Sequence, residues 1–100
     1  MNITRDHAPP AIAGVPAPAG ARKVDEWIDE TDRGDWARFF RGTRRGASVH
    51  VDIIGMQNAD RSVERTISVC APNVGLDAAS ARELGADLLA AADELDELHD

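Results

Sequence analysis

Ala47-Ser48-Val49-His50-Val51-Asp52-Ile53-Ile54-Gly55 is the stretch whose reading decides the fold. Val49, Val51 and Ile53 alternate with His50 and Asp52, the period of two that sends successive side chains to opposite faces of a strand. Ser62-Val63-Glu64-Arg65-Thr66-Ile67-Ser68-Val69-Cys70-Ala71 repeats the pattern. Val63, Ile67, Val69 and Ala71 face one way, with Arg65 as the exception among them, and Ser62, Glu64, Thr66 and Ser68 face the other. Gln57-Asn58-Ala59-Asp60-Arg61 lies between, turn-forming and about the length of an ordinary hairpin loop. The two runs predict an antiparallel hairpin with one apolar and one polar face.

Downstream, Pro72, Asn73 and Gly75 stop the second strand. Asp77 is placed as a helix N-cap whose carboxylate accepts from an amide at Ala79 or Ser80, with Leu76 as a staple residue before it. Ala81, Leu84, Leu88, Ala91, Leu95 and Leu98 then follow in steps of three and four, the stripe of an amphipathic helix. Arg82, Glu83, Asp87, Asp93, Glu94 and Glu97 fall off that stripe. Gly85 sits beside it at a cost of ~1 kcal/mol against Ala, and a close approach to the sheet would account for it.

Upstream the signals are mixed. In Val24–Asp32, Val24, Trp27, Ile28 and Thr31 keep a helical period, yet the segment is β-branched and closes on the turn signal Asp32-Arg33-Gly34-Asp35. In Trp36–Gly42 a helical turn would join Trp36, Phe39 and Phe40, whereas a strand would join Trp36, Arg38 and Phe40. A strand is preferred. Ala8–Gly20 holds four prolines, two glycines and no charge, so no helix or inner strand is expected to persist there. Residues 1–22 are therefore expected to be a disordered, Pro/Ala-rich arm in which only Ile12 and Val15 could add burial, and residues 23–100 one small domain.

The counts exclude several classes. With 18 acidic against 11 basic residues, the net charge of −7 argues against tight sequence-independent binding to nucleic acid. A single cysteine, Cys70, cannot build a disulfide framework or a cysteine-type zinc site. No uninterrupted apolar stretch reads as a membrane span or a signal sequence. A cytoplasmic protein without membrane partner or cofactor is expected. Ten of the 11 basic residues are Arg, a bias that fits a coding sequence rich in G and C.

Candidate sites are few. His50 and Asp52 share the polar face of one strand and could touch one ligand or metal, but no third ligand is evident, and a solvated strand face predicts the same residues. Ser48, His50 and Asp52 have the residue types of a catalytic triad without an elbow or oxyanion donor. Cys70 is read as packed and inert. No catalytic, cofactor-binding or metal site is assigned, and a non-enzyme is expected.

Arg33, Arg38, Arg41, Arg44 and Arg45 interleave with Trp36, Phe39 and Phe40. Cations for phosphates beside aromatics for stacking make Arg38, Arg41, Arg44, Arg45 and Trp36 candidate nucleic-acid or partner contacts. The preferred reading is electrostatic balance against the acids at 25–32 and 93–100. About a dozen side chains are candidates for the core: Trp27, Ile28, Trp36, Phe40, Val49, Val51, Ile53, Val63, Ile67, Val69, Leu84, Leu88 and Leu95. That is near the lower limit for a monomer. Ile54 and Met56, pointing to the opposite sheet face, and Leu89 and Leu98, broadening the helix stripe, are left as a candidate dimer or partner surface.

Val51–Gln57, Ser62–Val69, Leu76–Leu84 and Leu88–Leu95 together resemble small actinobacterial and actinophage proteins of unknown function, over residues 36–98. The resemblance implies a hairpin–helix architecture and a non-catalytic role, and it carries no functional residue. The expectation is thus an α+β fold: a three- to four-stranded antiparallel meander with one C-terminal helix on its apolar face. The expected function is a non-enzymatic binding or accessory protein acting through protein contacts, most simply as a homodimer, with nucleic-acid binding through Arg33–Arg45 as the alternative.

Overall fold

The computed structural model of the protein describes residues 10–73 and 75–100. Its elements run α1 (Pro10–Ala13), β1 (Lys23–Val24), β2 (Ile28–Asp29), β3 (Trp36–Gly46), β4 (His50–Asn58), β5 (Val63–Cys70) and α2 (Ala78–Glu97). The strands form one antiparallel sheet in the order β1-β3-β4-β5, with β2 also paired to β3. The architecture is α+β, with five strands rather than three or four. The extra strands are the two-residue β1 and β2, where the ambiguous Val24–Asp32 segment runs extended along β3 instead of coiling.

The predicted hairpin is β4 and β5, in register from His50 opposite Cys70 to Gln57 opposite Val63. Its first strand starts later than the alternation suggested, because Ala47–Val49 form the β3–β4 turn. Gly46 enables that turn: its φ is +96°, and a Cβ there would press on the Val49 carbonyl.

One face of the sheet is filled. Val51, Ile53 and Ala91 form its buried centre, with Ile67, Leu84, Leu88, Leu95 and Leu98 packed around them. Helix α2 lies over this centre, its first turn capped by Asp77, whose carboxylate accepts from Ser80 N at 2.8 Å. Leu98 is the C-cap and packs into the core, so it offers no partner surface. Leu89 does not widen the stripe: it is 70% exposed on the outer side of α2. Ala81 is also exposed, since the helix meets the sheet only from Leu84 onward. A Cβ at Gly85 would meet nothing within 4 Å, so no close backbone approach explains that glycine. Ile28 and Val69, expected inside, are 54% and 49% exposed, because each lies on a strand at an edge of the sheet.

The rest of that face is covered from the N-terminal side. Ile12, Val15 and Trp27 form a second buried cluster, backed by Trp36 and Ala59. Of the arm expected over residues 1–22, residues 1–9 lie outside the described residues. Pro10–Ala13 form a single helical turn where no helix was expected, with Pro10 at the first position, where a missing donor costs nothing. The segment from Ile12 onward lies against the sheet. The physical reason is its backbone. Prolines remove donors but leave every carbonyl, and three sheet side chains donate to them. Arg38 Nη2 reaches Val15 O at 3.1 Å, Gln57 Nε2 reaches Pro16 O at 3.0 Å, and Arg65 Nη2 reaches Ala19 O at 2.8 Å.

A bulge sets the remaining geometry. On β3 Arg41 opposes Ile54 and Arg44 opposes Asp52, so Gly42 and Thr43 together face Ile53 alone. The extra residue inverts the alternation of β3 from there on.

Candidate functional site

The bulge decides where the arginines go. Before it, Arg38 shares the helix-covered face with Trp36 and Phe40; after it, Arg45 opposes Val51 and returns to that face. Arg41 and Arg44 stand on the other face, and Arg33 lies in the β2–β3 loop. The cluster that is contiguous in sequence is therefore divided between two faces and a loop.

Each arginine on the covered face is engaged. Arg38 is 9% exposed; its Nε donates to Gln57 Oε1 at 2.8 Å and its guanidinium lies 4.5 Å from the Trp27 ring centroid. Burial with no carboxylate partner pulls its pKa below the ordinary arginine value. Arg45 Nη2 pairs with Glu94 Oε1 at 2.8 Å, and Thr43 Oγ1 donates to the same oxygen at 2.8 Å. Burial works to raise the Glu94 carboxyl, but the hydrogen bonds from Thr43 and Arg45, with the charges of Arg45 and Arg22, outweigh it and leave it below the ordinary glutamate value. Arg65, the exception in the β5 pattern, lies over Phe40 at 5.6 Å and pairs with Asp100. Asp100 Oδ2 also accepts from Ala19 N at 2.7 Å, tying the end of the chain to the arm.

The opposite face carries the candidates in rows. Ala37 stands beside Asn58, with Ile28 outside them; Phe39 stands beside Met56 and Glu64; Arg41 stands beside Ile54 and Thr66, with Lys23 outside them. Then come Arg44, Asp52 and Ser68, and last His50 and Cys70. Phe39, Ile54 and Met56 are half-buried, and Ile28 is more exposed still. No helix or strand of the described residues packs over this face, although Ala37 and Asp52 are buried on it between their neighbours. Ile54 and Met56 are thus together on one surface, which Leu89, on the outer side of α2, does not share.

Ser48, His50 and Asp52 do not assemble as a nucleophile, base and orienter. Ser48 is exposed in the turn, while the two nitrogens of His50 face Ala47 O at 3.0 Å and Asp52 Oδ2 at 3.4 Å, leaving neither for a serine. Asp52 is held by Arg44, whose Nε and Nη2 reach its two oxygens at 2.6 and 3.2 Å. That bidentate bond is the first cause of an Arg44 pKa above the ordinary value. Cys70 is exposed rather than packed, at the end of an edge strand. Among the described residues no group of three or more His, Cys, Asp or Glu side chains could hold a metal ion, and no helix is long and apolar enough to cross a membrane.

No family model, curated protein or solved structure matches this chain. The site therefore rests on its own geometry. Two members of the open face, Phe39 and Arg41, were not grouped with Ile54 and Met56 by sequence reasoning. Alternation along β3 would have placed them together, but not which of the later arginines joins them, because nothing in Arg41-Gly42-Thr43-Arg44 fixes a bulge in advance.

Proposed function

We propose that this chain is a small non-enzymatic binding or accessory protein that acts through protein contacts made on the uncovered face of its sheet. The observation that carries the reading is the cluster Ile28, Phe39, Ile54 and Met56 on a face that no described element covers. An antiparallel sheet with one wet face ordinarily dresses it in polar residues, and β5 does so with Glu64, Thr66 and Ser68. Strands β3 and β4 instead present large apolar side chains, each worth ~1.5–3 kcal/mol when fully buried. Both the filled core opposite and the engaged arginines leave this face as the surface with most to gain from a partner.

The test is capture of partners on the immobilised chain, beside an Ile54→Lys, Met56→Lys variant with an unchanged circular dichroism spectrum. The reading expects partners held by the wild-type chain and lost by the variant. Identical capture by both would overturn it. The nucleic-acid alternative needs a single basic stripe, and the division of Arg38 and Arg45 from Arg41 and Arg44 weighs against it.

A further inference from the structure

We propose that the occupant of the open face is a second copy of this chain, docked face to face about a two-fold axis that runs across the strands between the Ile54 row and the Met56 row. The inference rests on the reading of that face as a binding surface and adds to it the partner and its orientation.

Charge placement selects the axis. By register, Lys23 stands at the β1 edge of the Arg41–Ile54–Thr66 row. Asp25, whose N–H donates to Phe39 O at 2.9 Å, stands at the same edge of the Phe39–Met56–Glu64 row. The two rows are about 6.7 Å apart, two residues along a strand. An axis midway between them exchanges one row for the other. Ile54 then meets the partner's Met56, Arg41 meets the face of the partner's Phe39, and Lys23 meets the partner's Asp25, each contact occurring twice. An axis along the strands, between β3 and β4, keeps each row opposite itself and sets Asp25 against the partner's Glu64. Like charges so placed disfavour that orientation. Packed sheets keep their strands within about 30° of each other, which preserves this order of rows.

Size sets the expected strength. Nine residues of β4 at about 3.3 Å and four strands at about 4.8 Å give a face of roughly 30 by 19 Å, or roughly 570 Å². That is below the ~800 Å² per partner of a standard interface. The dimer is accordingly expected to be reversible and concentration-dependent.

Sedimentation equilibrium of the full chain from about 10 µM to 1 mM tests this, with circular dichroism and thermal unfolding confirming that each variant folds. The wild-type chain should pass from monomer to dimer. Ile54→Glu, at the centre, should weaken association about tenfold or more. Lys23→Glu and Asp25→Lys should each weaken it several-fold, because each sets like charges across the axis twice. The double variant should return to about the wild-type constant. A strict monomer, a dimer indifferent to Ile54→Glu, or a double variant weaker than either single one would each overturn the proposal. A monomer in which Ile54 and Met56 are nonetheless shielded would assign the face to residues 1–9. A monomer that still loses captured partners through Ile54→Lys, Met56→Lys would sink the dimer and leave the binding face standing. Capture unaffected by those changes would sink the binding face itself.

Discussion

Gly55→Ala is a one-methyl change that should remove a large part of the stability of this protein. Gly55 lies between Phe40 and Arg65 in the sheet. A Cβ there would stand 2.7 Å from Phe40 Cζ and 2.8 Å from Phe40 Cε1, and would press on the Glu64 carbonyl. Carbon atoms rest at ~3.5–4.0 Å, so the ring would have to move by about 1 Å. Phe40 is among the most fully buried side chains, with the Arg65 guanidinium above it, and the Glu64 carbonyl is backbone. Overpacking typically costs ~1–3 kcal/mol, and with both ring and ladder in the way the upper end, about 3 kcal/mol, is expected. For a domain of this size that lowers Tm by roughly 12–24 °C. Gly85→Ala supplies the opposite sign. Its Cβ meets nothing within 4 Å inside α2, so it should gain about 1 kcal/mol, or roughly 4–8 °C. Thermal and urea unfolding of both variants is the assay. A Gly55→Ala protein within about 0.5 kcal/mol of wild type, or a Gly85→Ala protein less stable than wild type, would refute the packing described.

Arg38→Met should cost about 2–4 kcal/mol, since it strips Gln57 Oε1 and Val15 O of a charged donor and Trp27 of its cation; urea unfolding checks this, and a loss below about 1 kcal/mol would count against a docked arm. Glu94, Asp77 and Asp60 all have folded pKa values below their ordinary ones: Glu94 because its bonds to Thr43 and Arg45 and the nearby arginine charges outweigh burial, Asp77 and Asp60 through hydrogen bonds from Ser80 and Ser62 respectively. Such groups stabilise above their unfolded pKa and lose that contribution as pH falls through the folded one, so Tm should drop between about pH 5 and 3, less steeply in Glu94→Gln. Arg41, Arg44 and Arg45→Ala together should lower Tm most visibly at low salt, Arg41→Ala alone should change it little, and the wild-type chain should give no band shift with single-stranded or duplex nucleic acid.

The hairpin and the C-terminal helix are legible in the sequence because each is written in a local period. Val51, Ile53 and Ile67 alternate, Leu84, Leu88, Ala91 and Leu95 step by three and four, and Asp77 has the side chain an N-cap needs. What was not legible depends on partners distant in the chain. Val15, Pro16 and Ala19 look like a loose arm until Arg38, Gln57 and Arg65 are folded beneath their carbonyls. The exceptional Arg65 has its reason in Ala19 and Asp100, 46 and 35 residues away. Ile54 and Met56 were readable as facing away from the core, but their companions on that face depended on a bulge with no sequence marker. Leu98, expected beside Leu89 on a partner surface, packs into the core as its place on the apolar stripe allows, whereas Leu89 lies on the outer side of α2.

The measurement closest to the central claim is methyl NMR of the full chain with a soluble paramagnetic agent, repeated across a dilution series. At the lowest concentration the methyl signals of Ile28, Ile54 and Met56 should be attenuated while those of Val51, Ile53 and Leu88 stay protected. As concentration rises, Ile54 and Met56 should become protected too. Attenuation of Val51 and Ile53, or protection of Ile54 and Met56 at every dilution, would contradict a sheet with one filled face and one face open to a partner.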